Sequence, residues 1–185
     1  MSKDIKFISE RVSYLKNEDE LTLIITGKID RAKETLLLTW LLAWSFCGIF
    51  IISQLFMEYT REEKLYFIVF ISFWAFFEFK ILKVYRWRKW GREYLRLTAE
   101  KLTIKKSITD YAKAEEYFIE NIKNWQIVPK SKTNFFQLAE KSFWVLGDDC
   151  IQFDYQAKTI LFGMQLSEKE AIAILKVINT PLKDT

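Results

Sequence analysis

The chain contains no histidine. That absence removes the commonest metal ligand and the side chain best suited to moving protons near neutrality. Its two cysteines, Cys47 and Cys150, lie far apart in segments of different kinds, so neither a disulfide framework nor a zinc site is expected. Only 5 glycines and 2 prolines occur among 185 residues, which argues against disorder and low complexity. Glycine-rich phosphate loops, nucleophile elbows and metal-spaced clusters are also missing. No cofactor and no enzymatic activity are expected.

What the chain has instead is apolar and aromatic mass. Half of it is hydrophobic and 17% aromatic, with 16 Phe and 7 Trp. The length suits one ordinary domain plus a little. The net charge of +4 becomes informative once it is located. Residues 1–35 carry seven basic and seven acidic side chains, and residues 93–185 carry thirteen of each. The excess sits in residues 80–92, offset by Glu78. A nucleic-acid-binding domain would spread basic charge over its folded body, and this body is neutral, so no nucleic-acid partner is expected.

Two apolar runs precede that cluster. Leu36 to Met57 is 22 residues without a charge. At about 1.5 Å per residue it makes roughly 33 Å of helix, enough to cross a hydrocarbon core. The second run, LYFIVFISFWAFF at 65–77, reaches spanning length by continuing through Tyr85 if Lys80 and Lys83 snorkel toward water. A cleavable signal peptide fits poorly, because the first run starts late and no small-residue cleavage site follows it. The short connection at 58–64 predicts an antiparallel helical hairpin over 34–90, with spans near 36–57 and 65–85.

Ten basic residues flank the outer ends of the two runs, against Arg61 and Lys64 in the connection. The expectation is a multi-pass protein of the cell (inner) membrane with both termini cytoplasmic. Lys83, Arg86, Trp87, Arg88, Lys89, Trp90 and Arg92, in the stretch KVYRWRKWGREY, then mark the inner membrane–water interface and its lipid contacts.

Beyond Gly91 the period changes to two. EYLRLT (93–98) and KLTIKKSI (101–108) read as strands about a turn at Ala99-Glu100. EEYFIENIKNWQIVP (115–129) reads as one or two strands, with Ile122, Trp125 and Ile127 as core candidates. Residues 142–164 read as three short strands, with turns at 147–149 and 156–158. In the final segment Ser167 and Glu170 form a capping-box pattern. Ala171, Ile174, Leu175 and Ile178 make one helical face, and Pro181 follows. Upstream of the first run, LTLIITG predicts a further strand near 21–27, added to an edge.

The expected fold class is therefore α+β: a transmembrane hairpin plus a small antiparallel barrel or sandwich over 91–181, capped by a C-terminal helix. This order resembles the bacterial pleckstrin-homology-like membrane proteins, including the YcxB-like group. GREYLRLTAEKLTI, IKNWQIVPKS, FWVLG and FGMQLSEKEAIAILKVI carry the likeness. The resemblance implies a two-helix hairpin leading into a non-enzymatic, PH-like cytoplasmic domain.

Individual residues offer little chemistry. Asp148 and Asp149 read as turn residues, and Cys150 reads as a small buried side chain because no histidine can activate it. Glu78, deep in the second run, is the exception, since an intramembrane carboxylate is a functional candidate by default. In an antiparallel pair it lies level with Ala43, which brings Thr39, Trp40 and Trp44 within about one turn as hydrogen-bond donors. Two function classes follow. One is a membrane-tethered interaction module that binds a protein segment or an anionic headgroup. The other is an accessory subunit of a transporter or secretion complex, hetero- or homo-oligomeric.

Overall fold

A computed structural model describes residues 5–108, 112–129 and 142–180. Pro181, expected to follow the last helix, lies outside them. The chain divides into two compact units. Residues 29–89 form one, and residues 1–28 together with 90–185 form the other.

The helical unit is built from α1 (Arg31–Gln54) and α2 (Arg61–Trp90). Both are long and apolar enough to cross a membrane. Along α1 the buried positions Leu37, Leu41 and Gly48 recur at helical spacing and form one seam. Leu42, Phe46, Ile49 and Phe50 on α1, and Phe70, Phe73 and Phe77 on α2, are exposed. Gly48 allows the close approach, because a Cβ built there would come within 1.9 Å of the Trp74 ring. Small residues at such a crossing are what helix pairing in lipid relies on.

Among the described residues the β unit contains nine strands in two antiparallel sheets. The first sheet has the order β1 (Lys6–Phe7), β2 (Val12–Lys16), β3 (Glu20–Thr26), β4 (Arg92–Thr98), β5 (Lys101–Ser107) and β6 (Glu115–Phe118). The second contains β7 (Ile122–Ile127), β8 (Asp149–Tyr155) and β9 (Lys158–Met164). α3 (Glu168–Ile178) follows and packs against β7 and β8. Its expected capping box is present: the Ser167 hydroxyl accepts the Glu170 N–H, and the Glu170 carboxylate accepts the Ser167 N–H.

β3 does not sit at an edge. It lies inside the sheet between β2 and β4, paired with β4 from Glu20↔Thr98 to Thr26↔Arg92. The Gly27 N–H then donates to the Gly91 carbonyl at 2.9 Å, extending the ladder by one bond. β3 and β4 are thus neighbours in a plain meander, and the helical hairpin is inserted in the connection between them.

The two sheets share one core. Val12, Leu21, Leu23, Ile25, Leu95 and Leu102 face Ile151, Phe153 and Phe162, with Ala171, Ile174 and Ile178 of α3 in the same cluster. Aromatic rings interlock at its centre. Tyr117 meets Phe153 edge-on at 5.4 Å, and Trp125 lies 4.8 Å from Phe153. Val12, Leu21, Leu23 and Ile25 are at most 1% exposed. At about 1.5–3 kcal/mol each they contribute about 6–12 kcal/mol together, on the scale of a whole domain's stability.

A closed barrel is not formed among the described residues, and three local causes explain it. A 3-10 turn at Ile119–Asn121 separates β6 from β7. β7 breaks register between Lys123 and Gln126, where Asn124 adopts a φ of 53°. The far end of β9 is met by side chains rather than by a strand, as described below. The third strand expected within 142–164 is also missing. Gln165 Nε2 donates to the Val145 carbonyl, and the Ser142 hydroxyl accepts the Trp144 N–H, so ladder groups there bond to side chains instead.

Candidate functional site

The basic aromatic end of α2 presents two faces. Lys83, Arg86, Lys89 and Trp90 are exposed, whereas Trp87 and Arg88 are buried, at 5% and 4% exposure. The Lys89 ammonium donates to the Tyr85 hydroxyl at 2.9 Å and lies over its ring. Arg92 is exposed at the start of β4 and donates to the Tyr94 hydroxyl. The expected interface residues are therefore divided by helical phase, and only part of the cluster faces outward.

Deeper along the hairpin, Glu78 meets Ser45. The Ser45 hydroxyl lies 2.6 Å from Glu78 Oε1 and 2.8 Å from the Leu41 carbonyl oxygen. Beside it, the Trp74 indole N–H donates to the Trp44 carbonyl at 2.9 Å. Trp40 and Trp44 stack at 5.3 Å, and Thr39 is exposed. Trp44 Nε1 and Glu78 Oε2 are buried with no hydrogen-bond partner among the described residues. Ser45, two residues along from Ala43, carries the polar contact because it shares the face of Leu41 and Gly48, whereas Ala43 points outward. Sequence depth indicated the level, but helix phase selects the residue.

A third polar constellation lies at the edge of the β core. Glu93 on β4 is fully buried, and its Oε2 accepts the N–H groups of Gly163 and Met164 at 3.0 and 3.2 Å. Its Oε1 lies 3.5 Å from Lys106 Nζ, directly across the β4–β5 ladder. Lys106 in turn reaches both carboxylate oxygens of Asp149 on β8, at 2.7 and 2.6 Å. Burial pushes the Glu93 carboxyl up from its ordinary value, while Lys106 and the two backbone N–H groups pull it back. Lys106 is drawn down by burial, but Glu93 and Asp149 outweigh that and hold it raised.

Arg11, just before β2, grips the carbonyls at the end of β3 and at the end of β9. Its Nε donates to Thr26 O at 3.0 Å, its Nη1 to Gln165 O at 3.1 Å and its Nη2 to Met164 O at 3.5 Å. One buried anion thus takes the N–H groups at the end of β9, and one cation takes the carbonyls. The positive φ of Gly163 (81°) and of Gln165 (56°) turns those groups toward the two side chains.

Sequence reasoning missed this cluster, yet its signal is present. Glu93 shares parity with Leu95 and Leu97, Lys106 with Leu102 and Ile104, and Asp149 with Ile151 and Phe153. Each charge extends an inward-facing apolar series by one step. Chemically the arrangement offers little: Glu93 is inaccessible, and the partly exposed Lys106 and Asp149 satisfy each other. An open, acid-rich concavity lies at the opposite end of β3 and β4, lined by Asp19, Glu20, Arg96 and Glu100, with Arg96 paired to Glu20.

Compared with family models, with curated proteins and with solved structures, the chain finds no match to any of them, so the site is read from its own geometry.

Proposed function

We propose that this chain is a two-span membrane protein carrying a non-catalytic interaction module, PH-like in its element order, on the cytoplasmic side. The observation that carries the reading is the bond from Gly27 to Gly91. Residues 27 and 91 belong to one ladder, so residues 28–90 leave and return on the same side of any membrane they cross. Two long apolar helices between them supply the even number of crossings that this requires. Ten basic residues beside the outer ends of the apolar runs favour the cytoplasm as that side.

In this reading the β unit is held at the membrane and binds either a protein segment or an anionic headgroup. The acid-rich concavity at the far end of β3 and β4 repels anionic headgroups, which favours the basic end for lipid and the far end for protein. A second reading is an accessory subunit docked through its hairpin, whose outward Phe46, Phe50, Phe70 and Phe73 would then meet a protein partner in place of lipid.

Photocrosslinkers placed at Phe118 and Leu161 of the β unit and at Phe46 and Phe73 of the hairpin separate the two. Protein or anionic-lipid adducts from the β-unit positions support the module. Protein adducts confined to the hairpin positions support the accessory subunit and reject the module.

A further inference from the structure

Strands β1–β3 precede the hairpin in the chain, and β4–β9 with α3 follow it, yet neither part is complete alone. Val12, Leu21, Leu23 and Ile25, all at most 1% exposed, fill one wall of the core that Leu95, Phe153, Phe162 and Ile174 complete from the other side of the insertion. β3 covers the whole length of β4 through a continuous ladder. Arg11 and Glu93, one from each part, converge on the same end of β9.

We infer that correct insertion of both helices is a precondition for closing the β unit, so that the fold tests its own membrane topology. The inference rests on the reading that α1 and α2 cross the membrane. A chain that crosses once places β3 and β4 on opposite sides of the bilayer. β4 then presents a bare edge, and the core loses the wall that Leu21, Leu23 and Ile25 supply. Such a molecule is left with an unpaired strand edge and uncovered apolar side chains, the features that mark a chain for proteolysis or aggregation. A chain that crosses twice brings the strands together. The requirement is one of parity, so the particular residues of α2 matter less than the return of the chain to its starting side.

Three chains test this, each with Cys47→Ala and Cys150→Ala and made in two versions, with Glu10→Cys or Lys169→Cys as the single exposed labelling point. The first is otherwise unchanged. The second lacks residues 65–82, and the third carries eighteen Leu and Ala residues in their place. Membrane-impermeant thiol labelling reports the side of each point, and trypsin digestion of opened membranes reports a folded β unit. The first and third chains should show both labels on one side and a resistant β-unit fragment. The second should show labels on opposite sides and at least a tenfold loss of that fragment. An undiminished fragment from a chain with labels on opposite sides would overturn the inference. So would failure of the Leu/Ala chain to recover the fragment although both its labels lie on one side. Release of the unchanged chain by alkaline extraction would instead reject the membrane reading, and the inference with it.

Discussion

Replacing Glu93 by alanine withdraws one buried acceptor from two backbone donors at once. The N–H groups of Gly163 and Met164 lose their partner at a site with no solvent access on the carboxylate side. An orphaned buried donor costs about 1–3 kcal/mol, so the two together cost about 2–6 kcal/mol. Alanine also relieves the desolvation that lifts the Glu93 carboxyl, which offsets part of that loss. A net local loss of about 1–3 kcal/mol corresponds to roughly a five- to hundredfold rise in amide exchange, at one decade per 1.4 kcal/mol. Hydrogen–deuterium exchange of the full-length protein in micelles reads this directly at residues 163 and 164. Glu93→Gln keeps an oxygen for both donors and should raise exchange by less than about threefold. Equal opening by both variants would refute the argument, because the charge and not the acceptor would then hold β9. The pH dependence follows from the same group. A carboxyl lifted by folding contributes stability below its ordinary value, and that contribution is lost as pH rises through the lifted one. Glu93→Gln should flatten that decline.

Three further substitutions test other joints. Gly48→Ala forces the Trp74 ring out of the hairpin seam and breaks its bond to the Trp44 carbonyl; cysteine crosslinking between α1 and α2 should fall, and unchanged crosslinking would show the seam to be loose. Ile174→Ala should cost about 2–5 kcal/mol and Leu175→Ala clearly less, since Ile174 is fully buried and Leu175 only partly so; equal denaturation midpoints would contradict this placement of α3. Glu78→Gln and Ser45→Ala should each shift hairpin stability by no more than about 2 kcal/mol, the usual range for interhelical bonds in membranes; loss of function at unchanged stability in Glu78→Gln would assign that side chain a role beyond the hairpin.

Local periodicity made much of this fold legible. Alternation from Tyr94 to Ile104 gives β4 and β5, and the Ser167–Glu170 cap with its apolar face gives α3. β3 was visible as a strand, but its place was not. Its partner β4 lies beyond the hairpin, and nothing local in LTLIITG says which strand it will meet. The apolar run at 143–146 looked like a strand and is not, because Gln165 and Ser142 bind its backbone groups. In the hairpin, depth was readable from residue counts, whereas the choice of Ser45 over Ala43 depended on seeing that Gly48 fixes the seam. The charged cluster was readable in principle, since Glu93, Lys106 and Asp149 each continue an inward series. A charge at the end of an apolar alternation is easily taken for the strand simply running out into solvent.

The bond between Gly27 and Gly91 also bears on chain entropy. Joining two strands across a flexible loop of about 60 residues costs more than joining them across about four, by four doublings of length or about 2.4 kcal/mol. A packed helix pair does not behave as such a loop. Once α1 and α2 lie side by side, tied by Ser45 to Glu78 and by Trp74 to Trp44, the ends of the insertion are already close together. The hairpin then serves β3 and β4 as a tight turn would, and its length adds little to the entropic cost of closing the ladder.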